Sequence, residues 1–428
     1  MSVACFRFPL GSSVEIEIKS SMIKILNKQD CCGCFSCSQK CPKKCISMLE
    51  DKEGFCYPHV NEDVCIDCHL CEKVCPVLHI GNLRKPLRTY AAKNTDKEVR
   101  MASSSGGIFT LLAEMVIAEG GVVFGARFNE SWEVVHDYTE TKEGLVDFRG
   151  SKYMQSVVGS CFIKAEFFLK MGRKVLFSGT PCQIAGLKLY LCKEYDNLLT
   201  VDFICHGVPS PKVWRRYLKE QVVQVCKDKD IVSGDSHKDQ VFIKGVSFRS
   251  KYLGWRDYSL TLTFSICYKK MSEKMVSISE PLMKNPFLRG FLCNLYLRPS
   301  CYYCPTKCLK SGSDVTVGDY WAIKRKYIDF DDRKGISSVF VNTVKGSKWT
   351  NRLQWDSIET TYQEAYQRSI QYSVKENDKR KIFFEYLEDE NITIAYCVKK
   401  FTDTPFVAMF KNRIKRMVKI LFAQKYLF

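Results

Sequence analysis

Two runs of cysteine near the start of the chain have the spacing that iron–sulfur proteins use to hold metal clusters. Each run reads C-x2-C-x2-C-x3-C-P, the arrangement of bacterial ferredoxins, in which the fourth cysteine of one run reaches the cluster of the other. The cysteines are Cys31, Cys34, Cys37 and Cys41 in the first run, and Cys65, Cys68, Cys71 and Cys75 in the second. The repetition predicts two clusters that transfer single electrons.

The exchange of the fourth cysteine assigns ligands to both clusters. One 4Fe-4S cluster is predicted on Cys31, Cys34, Cys37 and Cys75, and the other on Cys65, Cys68, Cys71 and Cys41. Cys32 and Cys45 fall outside the spacing and are expected to pack beside the clusters. Zinc is disfavoured because zinc sites pair two C-x2-C units across a longer gap. Disulfides are disfavoured because the first residues lack a secretory signal pattern, so a reducing cytoplasm is expected.

Four further cysteines lie in loops that are far apart in the sequence. They are Cys182 in FSGTPCQ, Cys205 in FICHGVPS, and Cys301 and Cys304 in RPSCYYCPTKC. A third iron–sulfur cluster would account for all four. The alternative is that Cys182 and Cys205 are small buried thiols, because free cysteine packs like a small hydrophobic residue. The pattern alone leaves both interpretations open.

The segments that must position these cysteines alternate between strand and helix patterns. RKVLFSG is a short β-rich run followed by the helix TPCQIAGLKLYL, and LLTVDFICHG is followed by PSPKVWRRYLKEQ with a proline near its start. This alternation predicts an α/β domain with a partly parallel sheet. Ligand sites in such sheets gather at the carboxyl ends of strands, which is where Cys182 and Cys205 are expected.

A serine- and glycine-rich segment, SSSGG at residues 103–107, precedes another predicted helix. Backbone N–H groups at the start of a helix can hold an anion such as the pyrophosphate of a cofactor. Serine and glycine are also ordinary helix caps, so the segment is a weak signal by itself. The chain contains neither GxGxxG nor a Walker A sequence, which disfavours a conventional dinucleotide fold or a nucleotide hydrolase.

The composition is strongly basic. Of the 428 residues, 65 are Lys or Arg and 47 are Asp or Glu, which gives a formal net charge of +18. This charge favours a phosphorylated or polycarboxylate cofactor, an acidic redox protein or a membrane surface as partner. Nucleic acid is disfavoured because no helix-turn-helix, RRM or zinc-finger signature accompanies the charge. No apolar run approaches the ~18 residues that are needed to span a bilayer.

The pattern along the chain predicts four regions. Residues 1–22 are an extension, with Met22 as a candidate physiological start, and residues 23–84 are an α+β ferredoxin-like module with two clusters. Residues 85–345 are the α/β domain with a mixed sheet, and residues 346–428 are a helical region. The basic end of that region, MFKNRIKRMVKILFAQKYLF, is either a membrane-surface helix or a helix packed on the protein or on a partner subunit.

Six short blocks occur in an order that is typical of one known family. They are SSSGGIF, GSKYMQS, FSGTPCQIAGLK, ICHGVPSP, RPSCYYC and SDVTVGDYW. Through these blocks, residues 85–345 resemble the beta subunit of coenzyme F420-dependent hydrogenases and dehydrogenases. The resemblance implies that this domain binds FAD as well as iron–sulfur clusters, and that it passes reducing equivalents between the clusters and a substrate that accepts or donates hydride.

The resemblance also implies where FAD and the catalytic groups lie. The implied FAD contacts are Ser104, Ser105, Gly106, Gly107, Gly150, Ser151, Gly179, Thr180 and Pro181. The catalytic candidates are Lys152, Cys182 and His206. Lys152 could pair with a negative group of the flavin or substrate, or it could be a solvated surface lysine. The chain departs from the family at Ala322, where glycine is more usual, and at the additional Cys308.

The combined expectation is a cytoplasmic iron–sulfur flavoprotein oxidoreductase. It would pass electrons between a redox partner, such as a ferredoxin or a dehydrogenase subunit, and FAD by way of two or three clusters. Hydride would then be exchanged with a deazaflavin or another anionic small molecule, since a flavin handles one or two electrons. The alternatives are a non-enzymatic electron-transfer subunit and a redox sensor whose clusters are regulatory.

Overall fold

The computed structural model describes residues 22–229, 240–268, 272–323 and 326–403. The two cysteine runs fold around short elements. They are α1 (Ser36–Lys40), β1 (Ile46–Glu50), β2 (Cys56–Val60) and α2 (Leu70–Lys73). β1 and β2 pair antiparallel. Phe35 and His69, which directly precede α1 and α2, both have left-handed backbone torsions. The two halves of the sequence repeat therefore turn in the same way before their helices.

The strands after the cysteine runs form two sheets. They are β3 (Arg88–Asn94), β4 (Val122–Phe128), β5 (Val134–Thr139), β6 (Val175–Ser178), β7 (Leu198–Phe203), β8 (Gln240–Ser250), β9 (Ser259–Tyr268), β10 (Ser272–Pro281), β11 (Val315–Asp319), β12 (Ser337–Val341) and β13 (Trp355–Thr360). Eight of them make one sheet in the order β13-β3-β12-β11-β7-β6-β4-β5, and β8, β9 and β10 make a separate antiparallel sheet. The predicted mixed α/β architecture is thereby confirmed.

Five strands of the large sheet run in the same direction. β4, β6, β7 and β11 are parallel neighbours, and β3 shares their direction because β12 is antiparallel to both β11 and β3. Their carboxyl ends therefore meet at one edge of the sheet. The loops that carry Cys182 and Cys205 leave from this edge, as does the connection from β3 to residues 103–107. This edge is the place where a ligand site of an α/β sheet is expected.

Helices cover both faces of the large sheet and complete the rest of the described chain. They are α3 (Lys97–Ala102), α4 (Ile108–Ala118), α5 (Cys161–Lys170), α6 (Pro181–Leu191), α7 (Pro211–Asp228), α8 (Pro286–Leu292), α9 (Val344–Thr350), α10 (Tyr362–Ala365), α11 (Arg368–Gln371), α12 (Arg380–Tyr386) and α13 (Ile394–Thr402). α4 packs on one face of the sheet, and α5 and α6 pack on the other. Phe35 joins the second of these cores, which attaches the first cysteine run to the α6 side.

Local sequence explains why α6 begins where it does. Thr180 caps the helix with a reciprocal hydrogen-bond pair to Gln183, and Pro181 occupies the first turn, where its missing N–H costs nothing. This cap fixes Cys182 in the first turn of the helix, directly beyond the end of β6. The sequence pattern predicted this strand-to-helix junction.

The smaller sheet lies between α7 and α8 in the chain and consists of three long strands whose inner face packs on both helices. Trp214 of α7 contacts Phe248 of β8 and Phe287 of α8, with ring centroids 4.9 Å apart in both pairs. Such aromatic pairs contribute about 0.5–1.5 kcal/mol beyond the area that they bury. The insertion is therefore anchored by its own core.

The region after residue 345 differs from the helical expectation. It contains β13, which pairs antiparallel with β3 and extends the large sheet to its edge. The strand was missed because none of its 6 residues is fully buried, so WDSIET resembles a polar loop. Arg88 and Glu359 form an ion pair across this edge. The remaining described elements after β13 are helical, as predicted.

Two expectations lie outside the described residues. They are the extension before Met22 and the basic amphipathic helix within MFKNRIKRMVKILFAQKYLF. Within the described ranges, no helix is at once long enough and apolar enough to cross a membrane.

Candidate functional site

The four cysteines that were assigned to the first cluster lie together in the structure. Cys34, Cys37 and Cys75 are buried, and Cys31 is half-buried. Burial raises the pKa of the Cys37 thiol, and the nearby sulfurs of Cys34, Cys31 and Cys75 raise it further. Burial likewise raises the pKa of Cys75 to about 11, with Cys34 and Cys31 adding to the shift. Cys75 therefore faces the first run rather than its own.

The second assigned set lines a separate and more open cavity of about 340 Å³. Its lining includes Cys41 from the first run together with Cys65, Cys68 and Cys71 from the second. Cys68 is exposed, Cys41 and Cys65 are half-buried, and Cys71 is buried. Cys45 lies beside this set, with its sulfur 3.3 Å from that of Cys41. Each run therefore contributes one cysteine to the neighbourhood of the other.

The four cysteines of the third predicted set also come together. Cys182, Cys205, Cys301 and Cys304 all line one cavity of about 690 Å³ at the carboxyl edge of the large sheet. Burial raises the pKa of Cys205, which the sulfurs of Cys301, Cys182 and Cys304 raise further. Burial raises the pKa of Cys301 to about 12. Cys308 does not line this cavity, because its sulfur turns towards the backbone oxygen of Gln371.

The chemistry of the first and third sets fits iron–sulfur clusters. Sulfur atoms that raise one another's pKa repel each other once they are ionised. An iron–sulfur core places positive iron among such sulfurs, and a thiol that coordinates metal is deprotonated outright. Among the described residues, no three side chains of His, Cys, Asp or Glu converge closely enough to hold a single metal ion.

Cys32 links the first set to the third. It lies in the lining of the larger cavity, although it belongs to the first run. A hydrogen bond with Cys32 lowers the pKa of Cys182, and another lowers the pKa of Cys34 to about 7. A cysteine that was expected only to pack beside the clusters therefore joins two candidate cluster sites.

Two of the segments that were assigned to FAD lie next to each other. The backbone N–H of Ser151 donates to Ser104 Oγ at 2.6 Å. Among the described residues, Lys152 Nζ donates to the backbone oxygens of Arg149 at 3.0 Å and Gly150 at 3.3 Å. Burial lowers the pKa of Lys152 to about 7, which Asp147 partly offsets. Arg149 Nε is buried and has no hydrogen-bond partner within the described residues. This concentration of donors fits an anionic group.

The expected anion site at the start of α4 is only partly available. The N–H of Gly106 donates to Ser337 Oγ at 3.0 Å, and Ser105 Oγ donates to the oxygen of Ile336 at 2.9 Å. A Cβ on Gly106 would lie 2.4 Å from the oxygen of Ala92. Gly106 is therefore required by close packing between β3 and β12, so its N–H is not free for a phosphate. Ser104 is the hydroxyl that faces residues 150–152.

The three catalytic candidates divide between two places. Cys182 and His206 line the large cavity, together with Thr180 and Pro181, whereas Lys152 lies outside its lining. His206 Nε2 lies 2.7 Å from Asn294 Oδ1, and burial lowers the pKa of His206. Gly179, which was also assigned to FAD, precedes this group and donates its N–H to Val201. The site is therefore a cysteine-lined cavity with a separate donor cluster along the same sheet edge.

Models of known protein families match successive parts of the chain. The family model for the N-terminal part of the coenzyme F420 hydrogenase/dehydrogenase beta subunit matches residues 89–161, and the model for its C-terminal part matches residues 172–365. Together they cover more than half of the chain. The chain belongs to this family. A 4Fe-4S binding domain model matches residues 58–78, which places the beta-subunit homology after an iron–sulfur module.

Individual relatives are similar to parts of this chain. One subunit of the F(420)H(2) dehydrogenase of Methanosarcina mazei is 24% identical in an alignment over 225 residues that covers 48% of this chain and 62% of that protein. The chain thus spans about three fifths of the length of this relative. The 7Fe ferredoxin of Hydrogenibacillus schlegelii is 39% identical over 64 residues, which are 14% of this chain and 76% of the ferredoxin. A chain of the F420-reducing NiFe hydrogenase complex from Methanosarcina barkeri is 18% identical, with a TM-score of 0.39 and coverage of 72% of this chain and 91% of that chain.

In this member of the beta-subunit family, two basic residues next to the cavity were missed by the sequence reasoning. Lys307 Nζ donates to the backbone oxygens of Cys205 at 2.8 Å and Ser369 at 2.7 Å. Arg298 is fully buried and contacts Cys31. Their positions in RPSCYYCPTKC, beside the cysteines, were the available signal. Ala322, where the sequence departs from the expected pattern, packs against a hydrophobic cluster and does not itself line the cavity.

Proposed function

We propose that this protein is an iron–sulfur flavoprotein oxidoreductase that carries electrons from a protein partner to an anionic substrate, or in the reverse direction. The observation that carries the proposal is the large cavity, where four cysteines from three distant loops meet. Cys32 extends from the first cysteine run into the same lining. A continuous series of sulfur-rich sites therefore leads from the cysteine runs to the edge of the sheet.

Bound 4Fe-4S clusters would transfer single electrons, and bound FAD would exchange either single electrons or a hydride. The residues of this chain give the two ferredoxin-type sites different access to water. Burial of Cys34, Cys37 and Cys75 keeps water away from the first site, whereas the exposed Cys68 leaves the second site open to a protein partner. The larger cavity receives Cys182 from the start of α6 and Cys205 from the loop after β7. This cavity and the donor cluster around Ser104 lie along the same edge of the sheet, which supports electron transfer from a cluster in the cavity to a flavin.

The donor cluster around Ser104 is the part that would bind the anionic portion of FAD or substrate. Lys152 contributes positive charge, the charge of Arg149 is shared with Glu114 at 3.9 Å, and the N–H of Ser151 holds Ser104 in place. A Cβ on Gly150 would meet no atom within 4 Å, so the space beside this residue is open. The overall charge of +18 also favours an anionic substrate or an acidic redox protein. A deazaflavin coenzyme is the substrate class that we propose, since relatives are named for coenzyme F420.

The test is anaerobic reconstitution followed by measurement of iron, sulfide and flavin. We expect about twelve irons per chain if all three sets are loaded, and about eight if only the ferredoxin-type sets are. Cys182→Ser should remove about four irons. Cys192→Ser is the matched control, because Cys192 is an exposed cysteine at the other end of the same helix. Equal iron content in the two variants would overturn the third site.

The flavin part of the proposal has its own readout. The reconstituted protein should release stoichiometric flavin on denaturation, and its flavin absorbance should bleach with dithionite and return with a soluble acceptor. Loaded iron without any flavin would instead identify an electron-transfer subunit that lacks substrate turnover. The two measurements separate the cluster proposal from the flavin proposal.

A further inference from the structure

Arg298 is a buried positive charge at the junction of the first cysteine run and the large cavity. Its side chain is 1% exposed. Nε donates to the oxygen of Cys31 at 2.8 Å, Nη1 to Gln155 Oε1 at 2.9 Å, and Nη2 to the oxygen of Cys56 at 2.9 Å. The guanidinium carbon lies 4.4 Å from the centre of the Tyr57 ring. All of these acceptors are neutral.

The other buried arginines of the described chain are neutralised. They pair with carboxylates as Arg100 with Asp332, Arg249 with Asp319, and Arg380 with Glu53. No carboxylate pairs with Arg298 within the described residues. A buried ion without a counter-charge is strongly destabilising even after its surroundings relax. Within the described chain, the counter-charge of Arg298 must therefore come from a group other than a carboxylate.

The sulfur of Cys31 is a group in reach that can supply negative charge. Nη2 of Arg298 lies 3.5 Å from Cys31 Sγ. Gly33 permits this approach, because a Cβ at its position would lie 2.7 Å from Nη1, and its φ of +65° also favours glycine. Gln155 fixes the arrangement from the other side by donating to the oxygens of Cys32 at 2.7 Å and Gly33 at 3.2 Å.

We propose that Arg298 is the counter-charge of the cluster held by Cys31, Cys34, Cys37 and Cys75, and that it raises the reduction potential of that cluster. Addition of one electron makes a cluster more negative. A fixed positive charge beside one of its cysteine ligands therefore stabilises the reduced form more than the oxidised form. No proton has to move, because the guanidinium stays charged. Arg298 therefore favours the reduced state of the buried cluster over that of the exposed one.

The inference rests on the first cluster of the proposed function. Arg298 also lies close in sequence to a cysteine of the large cavity. It lies three residues before Cys301, which lines the cavity. The second cysteine set lies in a separate cavity whose lining does not include Arg298. The charge therefore distinguishes two clusters whose cysteine spacing is identical.

The test is a redox titration, followed by EPR, of the reconstituted full chain. Arg298→Gln should lower the ratio of reduced to oxidised first cluster at least tenfold at a fixed ambient potential, which corresponds to 59 mV for one electron. Arg298→Lys, which keeps the charge, should stay close to the wild-type ratio. The signal of the second cluster should be unchanged in both variants. An unmoved potential in a fully loaded Arg298→Gln protein would overturn the inference, as would equal shifts in the two variants.

A second variant covers the case in which Arg298→Gln does not fold or load iron. Gln155→Glu places a carboxylate where the amide oxygen now lies 2.9 Å from Nη1, so the arginine remains but its charge is neutralised. The potential of the first cluster should fall as in Arg298→Gln, and a wild-type potential would overturn the inference. Absence of iron from the first site in the wild-type protein would instead overturn the proposed function, so the two failures are distinguishable.

Discussion

The two cysteine runs have the same spacing but lie in different surroundings. The set around Cys34 is covered by the large α/β domain, with Phe35 in a shared core and Lys40 Nζ donating to the oxygen of Tyr190 at 2.8 Å. The set around Cys68 is open to solvent. A repeat that is symmetric in sequence has therefore become asymmetric in burial. In the proposed function, the exposed set is the outer end, which meets a partner, and the buried set is the inner end, next to the cavity.

The difference in burial predicts that replacing a cluster-ligating cysteine destabilises the protein more in one set than in the other, and this is the largest effect that we expect. Cys34→Ser and Cys68→Ser should each cost about four irons per chain, because each removes one thiolate from a cluster. Only Cys34→Ser should also loosen the interface with α6, since Cys34 packs against Gly186 there. Thermal unfolding and limited proteolysis provide the measurement. A larger loss of stability in Cys68→Ser than in Cys34→Ser would contradict the assignment of inner and outer ends.

The interface between α1 and α6 offers the next test. A Cβ on Gly186 would lie 2.5 Å from Ser36 Oγ and 3.0 Å from Cys34 Cβ. Gly186→Ala should therefore destabilise the protein by about 1–3 kcal/mol through overpacking, although alanine is normally the better helix former. Urea unfolding measures the change. The control is Gly245→Ala in β8, where the new Cβ would meet Thr263 at an ordinary 3.4 Å.

Burial also distinguishes two lysines of the same domain. Lys152 has its pKa lowered to about 7 by burial, whereas Lys164 is exposed. Lys152 is charged below pH 7 and neutral above it, so its attraction for an anion should weaken as pH rises. The charged fraction of a group with a pKa of about 7 falls about tenfold from pH 6 to pH 8. The affinity for flavin should therefore fall by up to about tenfold over the same range. Lys152→Met should remove this pH dependence and Lys164→Met should leave it, as measured by flavin fluorescence titration.

The smallest expected effect concerns access to iron. Because Cys68 is exposed, a water-soluble iron chelator should remove the outer cluster severalfold faster than the inner cluster. Release followed by absorbance should show two phases. In Cys65→Ser the fast phase should disappear and the slow phase should remain. A single phase in the wild-type protein would show that solvent access does not differ between the two ends.

The main features of the fold could be predicted because they depend on local sequence. The cap at Thr180 and the proline after it define the start of α6, and the alternation of strands and helices indicates a mixed sheet. β13 was missed because an edge strand with one covered face carries few apolar residues. The close packing of Gly106 against Ala92 could not be predicted, since it joins segments that are apart in the chain.

The sequence by itself determined the type and number of cysteines, the spacing of the two runs and the family of the α/β domain. These properties depend on neighbouring residues, which spacing rules describe well. Tertiary structure alone decided that Cys182, Cys205, Cys301 and Cys304 share a cavity, that Cys32 adjoins it, and that Arg298 is buried beside Cys31. Contacts of this kind join distant segments, and the burial of a charge depends on everything that packs around it.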